Sequence, residues 1–255
     1  MPLPLDEVAR AAVGPGAPLG DLWARVTARQ PAPSVAVVAG TAVAVLVCLA
    51  VPTLWRAVRH AVTIVHEASH ALVAVLVGRR LSGIRVHADT SGLTVTRGRP
   101  TGPGVVAMFA AGYLGPALVG LGAAALLARG YAAGTLWLAV VVLAGVLLKI
   151  RNWYGLWAVA ATAAVVVPVT LWASPQVQLA AAHVIAWLLL LGALRAVLEL
   201  AAGRRGRRGA RDTSDAGRLA ALTHVPAALW VGVFLLVTAG TLALGARWLV
   251  AGIGR

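Results

Sequence analysis

The chain has 255 residues, of which 60% are hydrophobic and only 12% are charged, and its formal net charge is +14. Soluble domains carry about 25% charged residues, so this composition excludes an ordinary soluble domain. It predicts an all-α polytopic membrane protein whose apolar runs form one helical bundle. The single cysteine, Cys48, excludes an internal disulfide.

The chain begins with a mixed segment that we interpret as an N-terminal arm. Residues 1–33 combine proline, glycine, charged residues and short apolar clusters, and they lack the pattern of a signal peptide. About seven apolar runs follow, each close to the roughly 20 residues that cross the hydrocarbon core. These predicted spans lie at 34–54, 58–78, 104–128, 132–149, 154–173, 178–200 and 225–247. Residues 34–255 are therefore expected to form one membrane-embedded domain.

The distribution of basic residues predicts the orientation of these spans. If the N-terminus is cytoplasmic, the arm, the segment 79–101 and a basic loop at 201–218 all face the cytoplasm. Those segments hold most of the arginines, as the positive-inside rule requires. We therefore expect a multi-pass protein of the plasma membrane with a cytoplasmic N-terminus. The positive charge then requires no nucleic-acid partner, and the lipid bilayer is the expected one.

The segment 79–101 differs from the other connections. Two β-prone runs, near 82–87 and 93–97, surround the turn-like sequence Ala-Asp-Thr-Ser-Gly. This pattern predicts a small β-hairpin directly after the second span. The alternative is an ordinary solvated loop.

The second span contains the sequence HEASH at 66–70, which places ionisable groups in an apolar run. His66 and His70 are four residues apart, so on an α-helix they project from nearly the same face and can bind one metal ion. Glu67 lies beside them and is suited to act as a general base. The pattern also occurs by chance in soluble helices, but charged groups inside a span are costly and mark function. We therefore predict a zinc site with Glu67 as the catalytic residue.

Three features make the sequence resemble the site-2 protease family of intramembrane zinc metalloproteases, in its compact bacterial branch. They are HEASH, the β-prone segment after it, and FAAGYLGPALVGLG at 109–122, which is similar to the small-residue helix that packs against the HExxH helix in that family. Small residues let membrane helices approach closely, so the third feature also has an ordinary packing explanation. The resemblance covers 55–130 well. It implies that the hairpin enters the membrane from the cytoplasmic side and guides substrate.

A catalytic zinc of this class takes three protein ligands. In the family the third is an aspartate followed by glycine on a later helix, and the closest match here is SDAGRLA at 214–220, which makes Asp215 the candidate. Ala216 departs from that pattern. Ser214 and Asp215 also suit the capped first turn of a helix, which is the alternative interpretation. Asn152 and Asp212 compete for the place of third ligand.

The resemblance implies a zinc-dependent endopeptidase that cleaves membrane-spanning or membrane-tethered proteins, with Zn²⁺ bound by His66, His70 and Asp215. The rival hypothesis is a non-proteolytic membrane scaffold or transporter-like protein with a structural or degenerate metal site. The short loops between spans indicate no adaptor domain. Substrate selection is then left to membrane access or to a separate adaptor, and the sequence does not fix the oligomeric state.

Overall fold

The computed structural model describes residues 19–205 and 212–254. In this part of the chain, helices are joined by short connections, and a pair of strands follows the third helix. In chain order the elements are α1 (Leu19–Thr27), α2 (Val35–Ala50), α3 (Pro52–Leu76), β1 (Arg80–Val86), β2 (Gly92–Arg97), α4 (Pro103–Leu127), α5 (Ala132–Lys149), α6 (Trp153–Trp172), α7 (Pro175–Arg205), α8 (Asp215–Thr223) and α9 (Ala227–Ala251).

Five helices, α4, α5, α6, α7 and α9, are long and apolar enough to cross a membrane. The helices α2 and α3 are long and apolar enough to cross a membrane only when they are taken together. Their axes are bent by 108° at the break between them. By length and composition, the described residues thus contain five candidate spans, or six if the bent pair counts as one. The chain is a multi-pass membrane protein, but the expectation of seven separate spans is not confirmed.

The bend has a local cause in the sequence. Val51 is extended and Pro52 begins α3. Proline lacks a backbone N–H, and it disfavours the helical conformation in the residue before it. The helix α2 therefore ends at Ala50, and α3 starts in a new direction. The helix α3 is also less apolar than the other long helices, because it carries Arg56, Arg59 and the HEASH residues.

The later predicted spans match helices closely. The span at 132–149 coincides with α5, and those at 104–128 and 154–173 differ from α4 and α6 by single residues. The helix α7 continues past the predicted span at 178–200, so the predicted basic loop begins as helix, and its last residues start α8. The middle of that loop, 206–211, lies outside the described residues.

The strands β1 and β2 form an antiparallel hairpin, with an irregularity between Leu81 and Gly83. A third segment adjoins the outer edge of β1. Ile84 bridges to Ile150 in the parallel direction, and the Asn152 side chain bonds to Val86, accepting from its N–H at 3.2 Å and donating to its carbonyl at 2.7 Å. The outer edge of β1 is therefore covered, whereas no strand of the described residues pairs with the outer edge of β2.

The N-terminal arm and the hairpin lie at opposite ends of the bundle. The backbone N–H of Gln30 donates to the carbonyl of Gly130, between α4 and α5, at 2.9 Å, and its side chain bonds to Gln178 at the start of α7. The hairpin instead meets Ile150, at the other end of α5. Seven spans would have placed the arm and the hairpin at the same end. The first residues of the arm, 1–18, lie outside the described residues.

The helix α4 is the centre of the bundle, since it packs against α3, α7 and α9. Its small residues make the close approach possible. A Cβ atom on Gly120 would stand 3.0 Å from the backbone nitrogen of Leu190 in α7, and one on Gly115 would overlap the Ser69 side chain in α3. This close packing determines where the HEASH face of α3 points, which is toward α4.

Candidate metal centre

The two histidines lie on the face of α3 that is turned toward α4. A Cβ atom on Gly112 of α4 would overlap the His70 ring and stand 2.6 Å from Nε2 of His66. Glycine is therefore the residue that leaves room for both imidazoles at this level of the bundle. The predicted small-residue segment thus has a specific role beyond general helix packing.

Three ligand-type atoms meet beside α4. Nε2 of His66 lies 3.0 Å from Nε2 of His70, and Oδ2 of Asp215 lies 3.1 and 3.2 Å from those same nitrogens. Zinc bonds of about 2.0–2.1 Å in a tetrahedral arrangement separate neighbouring ligand atoms by about 3.3–3.4 Å. The observed triangle is close to one face of such a tetrahedron.

Asp215 lies close to the histidines although it is the first residue of the short helix α8. Ser214 caps α8 by accepting a hydrogen bond from the N–H of Gly217, so the predicted cap is present, and the Asp215 side chain lies against the histidines at the same time. Leu219, fully buried on α8, packs in one cluster with Val197 of α7 and Phe234 of α9. The apolar face of α8 thereby fixes the helix against the bundle and directs its first residue to the histidines.

The carboxyl group of Asp215 is largely buried. Burial raises its pKa, but attraction and hydrogen bonding to the rings of His70 and His66 outweigh that effect and hold the pKa below the ordinary range of an aspartate. Asp215 is therefore ionised at neutral pH, which is the state that a metal ligand requires.

The two competing candidates for the third ligand are engaged elsewhere. The side chain of Asn152 is bonded to the backbone of Val86 in β1. The carboxylate of Asp212 is paired with Arg204 and accepts from the Ser214 hydroxyl at 2.6 Å. Each of these side chains stabilises a connection between elements, and the structure gives neither a contact with His66 or His70.

Glu67 is buried, with 3% of its surface exposed, and it is held by the hairpin. The hydroxyl of Thr94 in β2 donates to Oε2 of Glu67 at 2.5 Å. Gly92 permits this approach, because a Cβ atom there would overlap the Glu67 side chain. His66, Glu67 and His70 also offer ligand atoms within 4.8 Å of one another. The Thr94 bond and the shorter Asp215 distances favour Asp215 over Glu67 as the partner of the histidines.

The rings of the histidines are oriented by neighbouring groups. Nδ1 of His70 lies 2.6 Å from the carbonyl oxygen of Met108. Donation from Nδ1 to that oxygen leaves Nε2 as the nitrogen that would bind a metal ion once it has given up its proton. The ring of Tyr113 packs edge-on against His66 at 4.9 Å and stacks on Phe234. Both imidazoles are thus fixed with Nε2 toward Asp215.

A cavity of about 850 Å³ opens beside these atoms. Residues of α3, β2, α4, α7 and α8 line it. At its wall the hydroxyl of Thr63 donates to the backbone carbonyl of Thr90 at 2.9 Å, which ties the tip of the hairpin to α3. The polar groups that line the cavity include Arg59, Thr63, Thr94, Tyr113 and Arg218.

Sequence reasoning did not identify Thr94, Met108 or Tyr113 as parts of the site. For Thr94 a signal was present in the strand pattern. Gly92, Thr94 and Thr96 alternate with Leu93 and Val95, and the polar face is the partly buried one, while Leu93 and Val95 are 50% and 37% exposed. A strand with its apolar face outward and its polar face inward is suited to a polar cavity in an apolar surrounding. Met108 contributes only its backbone carbonyl, which no side-chain motif reveals.

Comparison with protein families gives a match over most of the chain. A family model described as Peptidase M50B-like matches residues 38–245. That range contains every residue of the centre described above. No curated protein and no solved structure matches the chain.

Proposed function

Because the chain belongs to the Peptidase M50B-like family, and thereby to the site-2 protease family, we propose that it is a zinc-dependent intramembrane endopeptidase. Its substrates on this proposal are membrane-spanning or membrane-tethered proteins. The observation that carries the proposal is the triangle of His66, His70 and Asp215 beside Glu67, in a cavity large enough for a peptide segment.

The donor set fits zinc. Two imidazole nitrogens and one carboxylate oxygen are a common set for catalytic zinc, and a centre of this kind leaves one position open. His66, His70 and Asp215 would hold the ion. When bound, zinc supplies Lewis-acid polarisation of a carbonyl group and makes a water molecule more acidic. The contact of His70 with Met108 supports the same assignment, because metal-binding histidines commonly donate from their second nitrogen.

Glu67 is the proposed general base. In peptide hydrolysis the oxygen of a water molecule bonds to the scissile carbonyl carbon, and the carbon–nitrogen bond breaks. Glu67 accepts the proton that the water loses and delivers it to the leaving nitrogen, which departs as an amine while the other fragment keeps the new carboxyl group. The Thr94 bond to Oε2 holds the Glu67 carboxylate in place for both transfers.

The outer edge of β2 is the proposed binding surface for the substrate backbone. A membrane-spanning helix bonds its own backbone groups internally, so it must unwind locally before it can be cleaved. An exposed strand edge can receive an extended peptide by strand addition. Residues 90–96 line the cavity, and the covered outer edge of β1 leaves β2 as the available edge of the hairpin.

A purified preparation tests the function directly. Wild type and Glu67→Gln are reconstituted in liposomes with a single-span reporter protein, and cleavage and zinc content are measured together. We expect the wild type to cleave and to hold about one zinc ion per chain, and Glu67→Gln to hold zinc without cleaving.

The alternative function, a non-proteolytic scaffold or transporter-like protein, gives a different result. Equal cellular function of wild type and Glu67→Gln would support the scaffold. A wild-type protein that binds no metal under zinc-replete conditions would refute the proposed zinc site and, with it, the proposed endopeptidase activity. The proposal places the protein in the plasma membrane with its site open to the cytoplasm, and cell fractionation can test the location. Cross-linking can test for an adaptor or a second copy of the chain.

A further inference from the structure

A second group of charged side chains lies on α3 and α7, away from the metal-type ligands. The carboxylate of Glu199 pairs with Arg59 at 3.2 Å and with Arg195 at 3.1 Å, and it accepts from the indole nitrogen of Trp55 at 2.7 Å. The guanidinium groups lie over the Trp55 ring, at 5.9 Å for Arg59 and 4.8 Å for Arg195. Aromatic faces attract such cations. We refer to these four residues as the arginine cluster.

The arginine cluster has an excess of positive charge. Two guanidinium groups share the one carboxylate of Glu199, and the contacts described for this part of the chain include no other acidic partner for either arginine. The three charged side chains are only 30–34% exposed. Partly buried charges in a membrane protein are costly unless they are paired. The remaining donors of Arg59 are therefore suited to bind an anionic group.

Arg59 lines the same cavity as Glu67 and the histidines. It precedes His66 by seven residues on α3, which corresponds to about 10 Å along the helix axis. An extended peptide advances about 3.3 Å per residue. A peptide that runs along α3 in the cavity with its scissile bond beside His66 would thus place a side chain near Arg59 about three residues away.

We propose that Arg59 is a specificity-determining residue that binds an acidic side chain of the substrate about three residues from the scissile bond. This inference rests on the proposed proteolytic function. It adds to that function a class of preferred substrate, namely segments with an aspartate or glutamate on one side of the cleavage position. Trp55, whose ring faces the Arg59 guanidinium, acts as a positioning residue. Arg195 engages the Glu199 carboxylate and so leaves Arg59 less fully neutralised.

A position scan tests the inference. A reporter that the wild type cleaves is made as a set in which a single aspartate replaces alanine at successive positions on both sides of the scissile bond. Cleavage is measured for each member in liposomes of neutral lipid. We expect kcat/KM to rise about tenfold at one position, about three residues from the scissile bond, since hydrogen bonds between charged groups have roughly this effect.

Two variants separate recognition from a structural role. Arg59→Gln should reduce the ratio of kcat/KM for the aspartate reporter to kcat/KM for the alanine reporter to about one. Glu199→Gln keeps an acceptor for Trp55 but removes the charge that competes for Arg59, so it should raise the ratio. A merely structural cluster would instead change cleavage of both reporters alike in both variants. Arg129→Gln, an exposed substitution at the other end of the bundle, is the matched control and should leave the ratio as in the wild type.

Other outcomes would overturn the inference. Equal cleavage of all reporters by the wild type would do so while leaving the protease assignment intact, because the alanine reporter is still cut. A wild type that cleaves no single-span reporter at all, so that the scan has no parent reporter, would instead refute the proposed function. If anionic lipid, rather than an aspartate in the reporter, changed the rate in an Arg59-dependent manner, the cluster would bind a lipid headgroup and the substrate assignment would be wrong.

Discussion

The carboxylate of Asp215 shows how one residue can serve two structural purposes. It lies in the first turn of α8, where an acidic group interacts favourably with the helix dipole, and it also stands between the two imidazoles. Asp212, three residues earlier, has a similar side chain in the same connection but is bonded to Ser214 and Arg204. Matched substitutions of Asp215 and Asp212 can therefore compare a proposed metal ligand with a carboxylate that only stabilises the connection.

Asp215→Asn should weaken zinc binding by more than about 100-fold, because even the loss of partners outside the ligand sphere costs 10–100-fold. Zinc affinity is measured by competition with a chelator of known affinity. Asp212→Asn is the control, and we expect it to keep wild-type zinc affinity. Equal loss of zinc in both variants would argue that the connection as a whole, and not the Asp215 carboxylate, supports the site.

Thr94→Val replaces a hydroxyl by a methyl group of similar size. The Glu67 carboxylate then loses a charge-assisted hydrogen bond, and we expect kcat to fall about tenfold or more while zinc content is unchanged. Cleavage of the single-span reporter and metal analysis provide the two readouts. Thr96→Val, two residues along the same face of β2, should have a smaller effect on kcat. A Thr94→Val protein with full activity would refute the positioning role of this hydroxyl.

At the level of helices, the approach of α3 to α4 depends on glycine. Gly112 and Gly122 lie on the same helix, but a Cβ atom would overlap His70 at the first position and meet nothing within 4 Å at the second. The two positions separate the local requirement for space from the general effect of glycine on helix stability.

Gly112→Ala should therefore lower both zinc content and thermal stability, because the added methyl group displaces an imidazole or separates the helices. Gly122→Ala should keep zinc and gain up to about 1 kcal/mol of helix stability. Thermal unfolding in detergent and metal analysis measure the two effects. Normal zinc content in Gly112→Ala would show that α3 and α4 are more adaptable than their packing indicates.

The connection between α5 and α6 fixes the hairpin from its outer side. Asn152→Ala removes both side-chain hydrogen bonds to Val86. We expect amide hydrogen exchange in β1 to become about tenfold faster, corresponding to the net loss of roughly one or two hydrogen bonds. Exchange in α9, which does not contact the hairpin, is the internal reference. Unchanged exchange in β1 would mean that the pairing with β2 alone holds the strand.

Most helices and the hairpin could be predicted from the sequence because apolar runs and β-prone runs are local signals. The apolar runs at 34–54 and 58–78 predicted two separate spans, but not the bend at Pro52 that makes α2 and α3 together one candidate span. A hydropathy window measures length and not direction. The histidine pair was predictable from its spacing on one helix. The contact with Asp215 was not predictable from residue spacing alone. It depends on tertiary packing of α8 across 145 residues of sequence separation, and only the family resemblance pointed to it.

At the level of the whole molecule, the number of spans decides which side of the membrane each end occupies. If α2 and α3 together count as one span, the arm near Gln30 and the connection at Gly130 lie on one side, and the hairpin lies on the other. The arginines of the hairpin and of the α7–α8 connection favour a cytoplasmic hairpin. The arm would then be outside, which is the reverse of the orientation expected from seven spans.

Cysteine labelling in intact cells tests this topology. In a Cys48→Ala background, single cysteines are introduced at Arg29, Arg129 and Arg97. We expect a membrane-impermeant maleimide to label the first two from outside and to label the third only after the membrane is opened. In the seven-span arrangement, Arg129→Cys would be labelled from outside, whereas Arg29→Cys and Arg97→Cys would both be labelled only after the membrane is opened.

The distance along the chain between the histidines and Asp215 also affects how the protein is made. A nascent chain that has been synthesised only as far as α7 already contains the imidazole pair, but it lacks the carboxylate on α8 and the α9 surface that holds α8 in place. On the proposed ligand set, such a chain cannot complete its centre. Proteolytic competence would thus arise only after α9 has been inserted, so that copies that stop before α8 would be inactive toward neighbouring proteins.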